Sequence, residues 1–168
     1  MCFDRALKID PRYTYAFAGK GLALSRKNDN DHAVDCYNRA LKIDGNDVGT
    51  LAHKGLALTE LQQCKNAFVC YDMALEIDPE DACTLINKAQ TLLAQHKVED
   101  AKRLLKKVTS VDLCDVSLLE KLIGILERVD LLDDAIKCCD KVLTINKSHT
   151  PVIHKKASLL QKLTKNLG

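Results

Sequence analysis

Apolar residues recur along the chain at helical spacing. Phe17, Gly21 and Leu24 fall on one stripe of a 3.6-residue helix, and Ala33, Tyr37 and Ala40 on one stripe of a second. The pair of stripes returns 34 residues later as Leu51, Gly55 and Leu58, then Ala67, Tyr71 and Ala74. It returns again as Leu85, Ala89 and Leu92 with Ala101, Leu105 and Val108, and as Leu119, Ile123 and Leu126 with Ala135, Cys139 and Val142. The words repeat too: CFDRALKIDP from Cys2, CYNRALKIDG from Cys36, CYDMALEIDP from Cys70. Cys2, Cys36, Cys70 and Cys138 are separated by 34, 34 and 68 residues, one, one and two periods. A fixed period of this length marks a repeat architecture.

With position 1 at Thr14, Val48, Ala82, Val116 and Thr150, the ladder runs without insertion. Each unit predicts a helical hairpin. Small residues at positions 8 and 20 let the two helices approach, and larger ones at 4, 11 and 24 fill around them. Pro or Gly beyond Asp10, Asp44 and Asp78 ends the second helix. Asp47, Asp81 and Asp115 stand where a carboxylate caps the next helix, and Thr150-Pro151 reads as a cap followed by proline at the first helical position.

The pattern resembles the tetratricopeptide repeat over essentially the whole chain. Residues 14–47, 48–81, 82–115 and 116–149 read as complete repeats, 1–13 as the second helix of a preceding one, and 150–168 as a closing first helix. Two departures stand out. Lysine occupies position 7 in Lys20, Lys54, Lys88 and Lys156, where the signature has leucine, and the fourth unit carries Ile123 and Cys139 at key positions. The resemblance implies an all-α, right-handed α-solenoid of antiparallel helix pairs, about ten helices in a single array over 1–168. Phe3, Ala6 and Leu7 would pack on a first helix that the sequence lacks. Three readings stay open for that edge: a fragment of a longer array, pairing with another copy, or fraying.

Composition removes several classes. Lys plus Arg is 25 and Asp plus Glu 23, so the net charge of +2 gives no nucleic-acid footprint. No apolar run spans a membrane. The opening MCFDRALKID lacks the apolar core of a secretory signal, which points to a cytoplasmic protein with reduced thiols. The eight cysteines show no Cys-x-x-Cys, and the histidines no zincin spacing, so no metal and no cofactor is expected. The periodic cysteines read as packing residues, while Cys64, Cys83 and Cys114 read as more exposed. No nucleophile elbow, phosphate loop or Ser/His/Asp set appears, so no catalysis is expected.

Binding remains. In the resembled family the first helices line a groove at positions 2, 5, 6, 9, 12 and 13. Here that choice gives Tyr15, Leu22, His53, Leu56, Asn87, Gln90 and Lys121 as candidate contacts: Leu22, Leu56, Asn87 and Gln90 touching the ligand, His53 and Lys121 selecting polar features. Leu22, Leu56, Ile86 and Leu93 also suit helix–helix contact. The carboxylate clamp of chaperone-tail binders is absent: its places hold Ala18, Leu22, His53, Cys83 and Asn87. Of an asparagine ladder at position 6 only Asn87 is present. The second repeat has a net charge of −4 and the closing helix +4. The expected function is a protein- or peptide-binding scaffold or adaptor, with a weak homo-oligomer open. The competing expectation is a structural or regulatory segment of a larger protein or enzyme, self-associating through the N-terminal edge.

Overall fold

The computed structural model describes Phe3, Arg5, Asp10 and residues 13–166. Among these, nine helices follow one another and there is no strand. They are α1 (Thr14–Ser25), α2 (Asn30–Ile43), α3 (Val48–Glu60), α4 (Cys64–Ile77), α5 (Ala82–Ala94), α6 (Val98–Ser110), α7 (Val116–Arg128), α8 (Leu132–Ile145) and α9 (Thr150–Asn166). The fold class is an all-α solenoid of antiparallel helix pairs. The first helices start at Thr14, Val48, Ala82, Val116 and Thr150, position 1 of each 34-residue frame. The tenth helix expected over 1–13 lies largely outside the described residues. The chain gathers into two compact units, 1–91 and 92–168, divided inside α5.

In the first unit α1 packs on α2, α2 on α3, and α3 on α4. Its core is built from small residues around two large rings: Ala33, Ala40, Ala67 and Ala74 are fully buried, as are Tyr37 and Tyr71. The glycines at position 8 make room for those rings. A Cβ added at Gly21 would stand 2.6 Å from the Tyr37 ring, and one at Gly55 2.4 Å from the Tyr71 ring. In the second unit α7 packs on α8 and α8 on α9. Here Leu105, Val108, Leu119, Leu122, Leu126 and Val142 carry the core. Cys138 and Cys139 are buried as well, and burial pushes each thiol up to about 11.

Two kinds of turn repeat with the helices. Between the helices of a pair the backbone enters the left-handed region at Asn28, Gln62, His96 and Asp130, each with φ near 60°. The next N–H reaches back five residues to the carbonyl of the position-11 leucine: Asp29 to Leu24, Gln63 to Leu58, Lys97 to Leu92, Leu131 to Leu126, at 2.8–3.0 Å. This closes the first helix with a Schellman-type bond, in a conformation that normally selects glycine. Between pairs, Asp44, Asp78 and Asn146 accept a backbone N–H two residues on, at 3.1–3.2 Å. Then Asp47, Asp81 and Asp115 cap the following helix by accepting from the N–H of Thr50, Thr84 and Leu118. The end of α6 lacks such a turn, and Lys141 instead donates to the carbonyls of Thr109 and Val111.

The last helix departs from expectation twice. Thr150 is already helical and its hydroxyl donates to the Ser148 carbonyl, so the His149 carbonyl takes the first helical N–H groups in its place. Ile153 and Leu160, at positions 4 and 11, are 43% and 44% exposed, while Val152 and Leu159 are buried. Positions 4, 8 and 11 pack on the second helix of the same pair. Positions 3 and 10 face the preceding pair, and for α9 only that neighbour is described.

Candidate functional site

The first-helix face of the first unit is assembled from α1, α3 and the beginning of α5. The family resemblance assigns positions 2, 5, 6, 9, 12 and 13 to this face, and helical spacing keeps them off the 4, 8, 11 stripe that packs on the second helix. Tyr15 stands out at 73% exposure, edge-on to Tyr13 with ring centroids 6.0 Å apart. Leu22 and Leu56 are half-buried at equivalent places on α1 and α3. Gln90 is also half-buried.

Position 6 behaves differently. The Tyr37 ring, wedged against Gly21 on one side, stacks on the His53 imidazole of the next pair at 6.3 Å and 17°. Phe3 lies in the same way against Gly19. Half-burial holds His53 below its ordinary pKa, with a backbone hydrogen bond involving Gly49 opposing. It therefore presents a neutral imidazole edge. Asn87 occupies the same position one repeat on, is 1% exposed, and donates to the Cys83 Sγ at 3.8 Å. Asn87 is thus covered where an accessible amide was expected. Ile86 is fully buried and serves as a helix contact, while Leu93 is half-buried. The family resemblance that named these residues gave no sign that a position-24 ring overlies position 6 of the following pair.

Beneath this face lies a knot of hydroxyls. Thr59 Oγ1 lies 3.2 Å from the Tyr71 hydroxyl and 2.8 Å from Thr91 Oγ1, and Thr91 donates to the Asn87 carbonyl at 3.0 Å. These bonds satisfy buried oxygens between successive first helices, which stiffens the face.

The second unit has a first-helix face of another character. Lys121 is exposed on α7 and belongs to this unit, whereas the other candidates belong to the first. A hollow of about 340 Å³ opens between α7 and α9, floored by Ile123, Gly124 and Val152 and edged by Glu120 and Lys155. Lys155 and Lys162 both bind the Glu127 carboxylate, which holds that carboxyl below the usual range. His149 lies 3.5 Å from Glu120. A second hollow, of about 480 Å³, lies instead on the second-helix side of the first unit, between α2 and α4 over α3.

Among the described residues no group of His, Cys, Asp and Glu is placed to hold a metal, and no helix is long and apolar enough to cross a membrane. None of the described cysteines is in a disulfide: Cys36, Cys70, Cys138 and Cys139 are buried, Cys64 and Cys83 half-buried, Cys114 exposed.

Two family descriptions, both of the tetratricopeptide repeat, match residues 15–47 and 70–103. Together with the helix pairs and their 34-residue register, they decide the family. The chain is a tetratricopeptide-repeat protein. Solved structures superpose on it at low identity. A thermophilic TPR protein of Thermus thermophilus gives a TM-score of 0.76 at 16% identity, covering 95% of this chain and 87% of its own. The pilF protein of Pseudomonas aeruginosa gives 0.69 at 22%, covering 92% and 70%. YrrB, described as a TPR protein with an unusual peptide-binding site, gives 0.60 at 16%, covering 98% and 84%. At these identities the likeness speaks to the fold. Among the curated proteins none matches by sequence.

Proposed function

We propose that this TPR chain is a non-catalytic, protein- or peptide-binding scaffold, read as one array over 1–168 and working in the cytoplasm. The observation that carries the reading is the first-helix face of the first unit, where Leu22 and Leu56 stand half-buried at equivalent places with Tyr15, His53 and Gln90 around them. Half-exposed aliphatic side chains on a face stiffened from below offer apolar surface to a ligand at little ordering cost. The neutral His53 edge supplies one hydrogen bond without a charge to desolvate. An extended or helical segment with two apolar side chains suits this face. Lys121, on the other unit, would select acidic features of a larger partner. YrrB is a TPR protein for which a peptide-binding site is named, which supports the class of activity without indicating the ligand.

The test is a pull-down with mass-spectrometric readout, comparing wild type with Leu56→Arg/Gln90→Glu after circular dichroism shows equal helicity. Partners captured by the wild type and lost in the variant are expected. Equal capture by both would remove the first-helix face from the function.

A further inference from the structure

We infer that the 480 Å³ hollow on the second-helix side of the first unit is a docking site for a partner peptide, in which an Asp or Glu flanked by aliphatic residues meets Lys54 and Asn38. The inference concerns a different face from the one above and stands independently of it.

It starts from the lysines at position 7. Lys88 of α5 binds the Asp72 carboxylate of α4 at 2.5 Å, and Lys156 of α9 binds Asp140 of α8. In both cases the acid is at position 25 of the preceding pair, sixteen residues earlier. Asp4 and Lys20 have the same spacing in the sequence, with Asp4 outside the described residues. At the next-to-last junction position 25 is Lys106, and there position 7 is Leu122, so no lysine faces a lysine. One junction breaks the rule in the other direction. Lys54 keeps the cation, but its register partner is Asn38. Among the described residues no carboxylate engages Lys54.

That junction is also where the surface opens. Lys54 and Asn38 both line the hollow, and Lys54 is the sole charged residue lining it. Val34, Leu41, Leu58 and Met73 give it apolar walls, and Val69 and Met73 on α4 are 57% and 44% exposed. Replacing the repeat's aspartate by asparagine converts an internal ion pair into two donors, Nζ and Nδ2, with room for one incoming carboxylate. Charge complementarity therefore fixes the sign of the ligand, and the walls fix its neighbours as aliphatic. The amides favour a peptide over a fatty acid. Asn66 donates to Gln63 Oε1 at 3.1 Å, which leaves the Asn66 carbonyl and the remaining Gln63 N–H groups at the rim for a main chain.

The test uses the full chain labelled with ¹⁵N and a panel of capped pentapeptides at millimolar concentration, with central glutamate and flanks varied over Leu, Ile, Val and Met. Amide shifts on α2 and α4 around Asn38 and Asn66 are expected, with the central-glutamine counterparts about tenfold weaker. Asn38→Asp restores the internal pair, so it is expected to raise the thermal midpoint slightly and weaken the glutamate peptides about tenfold. Asn38→Ser, which adds no charge, should keep their binding within a few-fold. The inference is overturned by any of four results: no shift from any peptide, equal binding of the glutamine series, unchanged affinity in Asn38→Asp, or shifts confined to α1 and α3. Octanoate is run alongside; if it shifts the hollow while the peptides do not, the ligand is a lipid carboxylate and the peptide reading fails.

Discussion

The hairpins α3–α4 and α7–α8 solve one packing problem with the sizes exchanged. In the first, glycine at position 8 faces tyrosine at position 24, and Gly55 is so close to Tyr71 that a methyl group would enter the ring. In the second, position 8 is Ile123 and position 24 is Cys139, both buried. Bulk has moved from the second helix to the first. The consequence reaches beyond volume. The tyrosine carries a hydroxyl into the hairpin, where Thr59 and Thr91 bond it. The cysteine brings no such partner, and the second unit relies on aliphatic packing. The space between the paired helices stays filled while the residue at either position changes.

The largest break in this comparison is Tyr71→Ala. It removes a fully buried ring and two hydroxyl contacts, with an expected loss of about 3–5 kcal/mol by urea unfolding. A loss below that of Cys139→Ala would show the two fillings to be unequal in the opposite sense. Alkaline pH acts on both hairpins, since burial also raises Cys70 and Tyr71, but the adjacent thiols of α7–α8 carry the shifts to about 11. Cys138 and Cys139 keep their protons to about 11 in the folded state, above the ordinary thiol value. Their contribution is therefore complete below about pH 9 and is lost progressively as pH rises toward 11. Urea midpoints measured across that window should fall, and Cys138→Ala/Cys139→Ala should flatten the slope.

Next in size is Gly55→Ala, expected to cost about 1–3 kcal/mol because the Tyr71 ring is hemmed in by its own hydrogen bonds. The turns offer a gain. Gln62 and Asp130 share φ near 60°, a conformation costing a non-glycine residue about 1–2 kcal/mol. Gln62→Gly should therefore stabilise by about 1 kcal/mol and Asp130→Gly by less, since aspartate tolerates that region; equal gains would remove the distinction. Smallest is Gly124→Ala on α7. A Cβ there meets nothing within 4 Å, so helix propensity alone acts and about 0.5–1 kcal/mol is gained. Opposite signs at Gly55 and Gly124, measured by thermal unfolding, would show that these two helical glycines serve different ends.

Much of this was legible in the chain. Period, helix starts, the Asp47, Asp81 and Asp115 caps and the burial of Cys36, Cys70 and Cys138 all follow from spacing, because a repeat brings the same local chemistry to the same place each time; Cys2 lies outside the described residues. The left-handed residues were not legible: Asn28, Gln62, His96 and Asp130 share a position but no residue type, so only the backbone reveals their common role. The groove was legible in part. The family resemblance proposed Leu22, Leu56 and Asn87 together; Leu22 and Leu56 are half-buried, whereas Asn87 is covered.

The sequence by itself determined that the chain is a stack of 34-residue helical hairpins, because each local signal was repeated until chance could not account for it. Tertiary structure decided which residues of the first-helix face remain accessible. It also decided that Lys54 stands over an open hollow where Lys88 and Lys156 are neutralised. The reason is physical: periodicity fixes the side of a helix on which a residue lies, but exposure and charge balance depend on the neighbour across the junction.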